Sequence, residues 1–101
     1  MIQQLDEKSF DNHIKNGIKF VAFLADWCGY CQKQKPILTE IADNNIWVGI
    51  VDSDENPKLV QQYNVNAFPY FLLFKEGKQI ASFMGYKTKY ELLNILLGYL
   101  Q

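Results

Sequence analysis

With 101 residues, 49% of them hydrophobic and 21% charged, and a net charge of −1, the chain carries enough apolar material for one domain over residues 1–101. This composition excludes a disordered polypeptide, a repeat solenoid and a binder that holds nucleic acid by charge. No stretch approaches the roughly 20 apolar residues of a membrane-spanning helix, and the start of the chain, Met1 to Glu7, lacks the basic and then apolar pattern of a secretory leader. The reading is a cytoplasmic protein, in which a cysteine pair is catalytic or metal-binding rather than a permanent staple.

Residues Met1 to Leu5 are expected as a short edge strand. Asp6 is placed to cap a following helix, with Glu7 in its first turn. Phe10 and Ile14 lie on its buried side, and Gly17 ends it. Residues 18–25 form a nearly continuous apolar run, which predicts a central strand covered on both faces.

Both cysteines follow, as Trp27-Cys28-Gly29-Tyr30-Cys31. Helical periodicity resumes at Ile37, Leu38, Ile41 and Ala42, with Pro36 inside it, so one kinked helix or two pieces are expected. A Cys-x-x-Cys pair between a strand and a helix is a redox signal. The apolar run Ile46 to Asp52 predicts a second strand parallel to the first, and Asn56-Pro57 a helix start with asparagine as cap. Leu59, Val60 and Tyr63 supply the buried side of that helix.

The runs Phe71 to Phe74 and Ile80 to Phe83 flank a tight turn, with Gly77 taking the positive φ of a hairpin. Thr88-Lys89-Tyr90-Glu91 has the form of a capping box. It opens a final helix whose apolar face is Leu92, Leu93, Leu96, Tyr99 and Leu100. The order is βαβαβαββα, an α/β fold with a mostly parallel sheet of about five strands between helices and an antiparallel closing hairpin.

These segments together resemble the thioredoxin family along essentially the whole chain. Trp27-Cys28-Gly29-Tyr30-Cys31 with Pro36 matches its WCxxC…P signature, and the segment from Val51 to Pro57 its acidic strand end followed by Asn-Pro. Phe68-Pro69 stands where the family keeps a cis-proline opposite the cysteines; Phe74 to Gly77 resembles its hairpin, and Phe83-Met84-Gly85 its late glycine beside the substrate groove. The resemblance implies a thioredoxin fold and a protein disulfide oxidoreductase without a cofactor. It implies disulfide-containing protein substrates, an upstream donor of the thioredoxin-reductase type, no nucleic-acid or membrane partner, and a monomer.

Thiol–disulfide exchange needs a thiolate, and the unpaired amides and positive dipole end at a helix start favour one. Cys28 at that start is therefore the expected nucleophile, and Cys31, one turn on and shielded, the resolving cysteine. Trp27, Gly29, Tyr30, Phe68, Pro69 and Gly85 are expected to bind substrate, with Tyr70 added to an aromatic surround of the thiolate. Phe68 reads equally as core, and Pro69 by sequence physics alone as an edge or loop proline. Lys33 and Lys35 read as a solvated helix face.

Inert buried thiols leave the preceding tryptophan unexplained. A metal site needs more than two thiolates and the lone His13, so only a dimer sharing two cysteine pairs, or outside ligands, completes it. The remaining alternatives are a binding module without fast turnover, and an isomerase or oxidase.

The chain also departs from the family. Ala22 stands where thioredoxins carry a buried acid, and Ile50 where that acid has a lysine partner. Gly29-Tyr30 replaces the reductase Gly-Pro and resembles the dipeptide of periplasmic disulfide isomerases, and Tyr70 replaces a threonine.

Overall fold

A computed structural model describes residues 1–100; Gln101, the last residue of the expected domain, lies outside them. Nine elements follow one another: β1 (Ile2–Leu5), α1 (Phe10–Ile14), β2 (Ile18–Leu24), α2 (Gly29–Asp43), β3 (Val48–Asp52), α3 (Pro57–Gln62), β4 (Tyr70–Lys75), β5 (Lys78–Met84) and α4 (Lys89–Leu100). This is the expected βαβαβαββα order. One five-stranded sheet runs β1-β3-β2-β4-β5. Strands β1, β3 and β2 are parallel, and β4 and β5 are antiparallel to their neighbours.

Alternation along the strands divides the core into two layers. On one face Phe20, Ala22 and Leu24 of β2, with Phe71 and Leu73 of β4, pack against α2 and α4 residues including Cys31, Leu38, Ile41, Leu92 and Leu96. On the other, Val21 and Phe23, with Tyr70, Leu72 and Phe74, pack against Phe10, Ile14 and Leu59. Both cysteines belong to the first layer.

Several local signals act differently from the sequence reading. The Asp6 carboxylate accepts from the Lys8 and Ser9 N–H groups at 3.0 and 2.8 Å, holding a turn that delays α1 to Phe10. Asn56 sits at the α3 cap position without capping. Its side chain instead accepts from Glu7 N–H at 3.1 Å and donates to Asp52 C=O at 2.9 Å. The carboxylate of Glu7 serves α3 in its place, accepting from Lys58 N–H at 2.8 Å.

Helix α2 runs on through Pro36 as one element. In the hairpin both Glu76 and Gly77 take positive φ, 52° and 82°, as a two-residue type I′ turn requires. Glu76 is held there by a main-chain bond to Gly17 C=O at 3.0 Å and a side-chain bond from Gly17 N–H at 3.1 Å.

The capping box forms as predicted: Glu91 accepts from Thr88 N–H at 2.9 Å and Thr88 Oγ1 from Glu91 N–H at 3.2 Å. Thr88→Ala is expected to lower stability by about 1 kcal/mol, read as a lower urea midpoint at unchanged slope. An unmoved midpoint would mean that the box does not hold the start of α4. The apolar face of α4 is narrower than the pattern suggested. Leu92 and Leu96 are buried, whereas Tyr99 and Leu100 are exposed.

Candidate active site

Cys28 is the residue that starts α2. Its backbone is extended (φ −90°, ψ 114°), and its sulfur takes the acceptor role that serine or aspartate oxygen takes in ordinary caps. The Cys31 N–H donates to Cys28 Sγ at 3.3 Å, and Cys28 Sγ donates to Phe68 C=O at 3.7 Å. Both cysteines are free thiols. Cys28 keeps 9% of its surface exposed, and Cys31 none.

Burial first, and then the Cys28 sulfur beside it, push the Cys31 thiol up to about 12; the Ala25 main chain and, less strongly, the Lys35 ammonium oppose this. The pair is chemically unequal: one sulfur reaches the surface at a helix start, and the other is enclosed and held protonated.

The walls around Cys28 come from three segments. Trp27 is 70% exposed and stands edge-on to Phe68, ring centres 5.6 Å apart. Its indole Nε1–H donates to Asp54 Oδ1 at 3.3 Å. The Phe68-Pro69 bond is cis, and Pro69 C=O accepts from Gly85 N–H at 2.8 Å, which brings the late glycine to the same edge. Gly85 has φ +90°, a conformation that glycine adopts without strain.

On the other side Tyr30, 62% exposed, leans on Tyr86 at 6.1 Å, with the Lys33 ammonium 5.8 Å over the Tyr30 ring. Gly29, Tyr30 and Lys33 line a shallow cleft of about 350 Å³.

Trp27, Gly29, Tyr30, Phe68, Pro69 and Gly85, the residues expected to bind substrate, lie along this one edge with Cys28. Phe68 does double duty, packing partly against both core layers. Tyr70 does not join them. It is buried in the second layer with Phe23 and Leu72, because it lies one residue out of phase with the strand positions that face the cysteines. Asp54 and Tyr86 were not singled out from sequence. Asp54 had only its place in the acidic turn before Asn56 as a signal, and Tyr86 only its place beside Gly85.

Lys35 lies 4.0 Å from Asp26 in a solvated ion pair. With Gln4, Leu24, Ile50 and Asp52 these two line a cavity of about 120 Å³. His13 stacks on Trp47 at 5.8 Å. Among the described residues no three His, Cys, Asp or Glu side chains gather as a metal cluster, and no helix is long and apolar enough to cross a membrane.

Ala22 is fully buried in the same layer as the two cysteines. It pairs with Ile50 on β3 and with Phe71 on β4. Neither of those neighbours carries a group that can take a proton.

Comparison with known proteins agrees with this geometry. The Thioredoxin family model matches residues 1–97. The chain is 35% identical over 98 residues to a thioredoxin of Chlamydia pneumoniae, covering 95% of this chain and 96% of that protein. It is 34% identical over 98 residues to a thioredoxin of Staphylococcus epidermidis, with 94% of each covered. A solved structure of a mutant thioredoxin from Halobacterium salinarum NRC-1 superposes with a TM-score of 0.91 at 27% identity, over 99% of this chain and 91% of that one. A cysteine pair at the head of α2, in a fold and a sequence shared with these proteins over nearly their whole length, identifies the chain as a thiol–disulfide oxidoreductase that belongs to the thioredoxin family.

Proposed function

We propose that the chain is a single-domain, cytoplasmic reductase of protein disulfides, acting as a monomer in cell redox homeostasis and electron transport. The observation that carries this reading is the inequality of the two thiols. Cys28 has an open edge and an amide N–H aimed at its sulfur, while Cys31 is sealed and protonated one turn away.

In the first step the Cys28 thiolate attacks one sulfur of a client disulfide. A Cys28–client bond forms, the client S–S bond breaks, and the released client thiolate takes a proton. Cys31 then gives up its proton and attacks Cys28 Sγ. An internal disulfide forms and the second client sulfur leaves as a thiol. Two electrons pass from the protein to the client, and a donor of the thioredoxin-reductase type, fed by nicotinamide electrons, restores the dithiol.

With Ala22 and Ile50 in place of an acid and its lysine, the Cys31 proton goes to the departing client thiolate or to water. Trp27, Gly29, Tyr30, Phe68, Pro69 and Gly85 hold the client, its extended backbone running along Phe68 beside Cys28. Exposed aromatic walls with a shallow cleft suit a protein surface better than one small molecule.

The redox potential against glutathione tests the reading. A value near the roughly −270 mV of thioredoxin is expected; one between about −180 and −120 mV would make the protein an isomerase or oxidase instead. Gly29-Tyr30 in place of Gly-Pro moves the expected value toward the oxidising side of that reference.

A further inference from the structure

Helix α2 buries one polar side chain that disulfide exchange does not use. Gln34 has no exposed surface. The other buried positions of this helix are Cys31, Leu38, Ile41 and Ala42, all apolar, so an apolar residue would fill the site without a polar group to satisfy. Burying an amide is unfavourable unless its donor and acceptor are both met.

Here both are met by a single residue across the chain. Gln34 Oε1 accepts from Lys87 N–H at 2.9 Å, and Gln34 Nε2 donates to Lys87 C=O at 3.0 Å. Lys87 lies in the link between β5 and α4. That link is tied at three further points. Gly85 N–H donates to Pro69 C=O at 2.8 Å. The Lys87 ammonium folds back to Met84 C=O at 2.8 Å and Gly85 C=O at 3.4 Å. Tyr86, between them, meets Tyr30 at 6.1 Å.

Gln34 stands one helical turn after Cys31, on the helix that Cys28 begins. Its paired bonds therefore join the wall made by Gly85 and Tyr86 to the same rigid element as the thiols. We propose that Gln34 is a positioning residue for protein clients, setting the place of the Gly85–Tyr86 wall relative to Cys28. This rests on the reading of the groove as a protein-disulfide site. An extended client touches that wall along with the sulfur, whereas a small disulfide needs only the sulfur. Misplacement of a binding surface away from the reacting atoms lowers the rate for the substrates that use it.

The test compares the wild-type chain with Gln34→Met, which keeps the length of the side chain without its donor and acceptor, and with Gln34→Asn, which is too short to reach Lys87. Rates of the reduced proteins with insulin and with hydroxyethyl disulfide are measured, together with amide hydrogen exchange. In both variants kcat/KM for insulin is expected to fall roughly tenfold, mainly through KM, with hydroxyethyl disulfide changed less than about twofold. Exchange at the Lys87 amide rises while Leu38 and Ile41 stay protected.

Equal losses with both disulfides, or faster exchange at Lys87 with an unchanged insulin rate, would overturn the role of Gln34. A wild-type chain that reduces hydroxyethyl disulfide but not insulin would instead overturn the protein-client reading, and the inference with it.

Discussion

Cys31→Ser is expected to stop turnover after the first exchange, leaving each client joined to Cys28 through a mixed disulfide. Cys28 is the sulfur with an open edge, lying against Phe68 C=O and the Trp27 and Tyr30 walls. The resolving step needs a second sulfur within reach of Cys28, and Cys31, whose N–H already points at Cys28 Sγ from 3.3 Å, holds the only other thiol in the chain. A serine hydroxyl is close in size but is no nucleophile toward a disulfide at neutral pH. In a single turnover of the pre-reduced proteins with insulin and no added thiol, release of fully reduced insulin chains should fall by at least roughly 10³-fold in Cys31→Ser and in Cys28→Ser alike. Only Cys31→Ser should accumulate the mixed disulfide, seen by mass spectrometry. Clients retained by Cys28→Ser would reverse the assignment.

The pH dependence follows from the same inequality. Because burial, the main cause of the raised Cys31 value, persists in the mixed disulfide, Cys31 stays mostly protonated there and the fraction of attacking thiolate rises with pH through the neutral range. The rate of mixed-disulfide resolution, followed by stopped flow from pH 6 to 9, should climb with it. Stability of the reduced protein moves the other way. The fold prefers the protonated Cys31 thiol, so the folded protein binds that proton more tightly than the unfolded chain. This contribution is fully present below the ordinary thiol value of 9.0 and is lost as pH rises from there toward about 12. A urea midpoint of the reduced protein that does not fall across that window would contradict the burial argument.

Ala22→Asp should produce a large loss of stability, together with a faster resolving step. The methyl group of Ala22 is fully buried between strands whose paired residues are Ile50 and Phe71, in the layer that encloses both cysteines. A carboxyl group there is offered no cation by either paired residue. It has to stay protonated or remain a buried charge, and it also overfills a packed layer. A cost of roughly 2–5 kcal/mol is expected, combining desolvation and crowding, measured as a fall in the urea midpoint.

The same carboxyl would stand in the layer that holds Cys31 and could take its proton during resolution, so the resolving rate at pH 7 should rise. An unchanged rate would sink the idea that the missing acid limits proton transfer. An unchanged midpoint would sink the argument that Ala22 relieves the fold of a buried polar group. Adding Ile50→Lys supplies a cation directly across the strand pair. The double variant should recover part of the stability lost by Ala22→Asp alone, the excess over additivity measuring the new pair.

Much of the site could be read from the chain because its signals are local. The apolar runs of β2 and β3, the cysteine spacing, the Thr88–Glu91 box and the hairpin at Gly77 each depend on residues within a few positions of one another. Backbone sterics, hydrogen-bond reach and helical period act at that range. The same local signals misled where a distant group competed for them. Asn56 has the right residue type and place to cap α3, yet its amide went to Glu7 and Asp52, and Glu7 took over the cap from 51 positions away.

By itself the sequence determined the order of elements, the redox pair and the cysteine that begins the helix. The tertiary structure alone decided which strand face meets the cysteines, sending Tyr70 to the far layer and leaving Phe68 beside Cys28. It also set Asp54 under Trp27 and Gln34 against Lys87, pairs that lie 27 and 53 residues apart. Alternation along a strand says that two faces exist, and a helical period says which residues share a side. Which face meets which partner depends on how the helices stack on the twisted sheet, where burial and hydrogen bonding are satisfied for the whole chain at once.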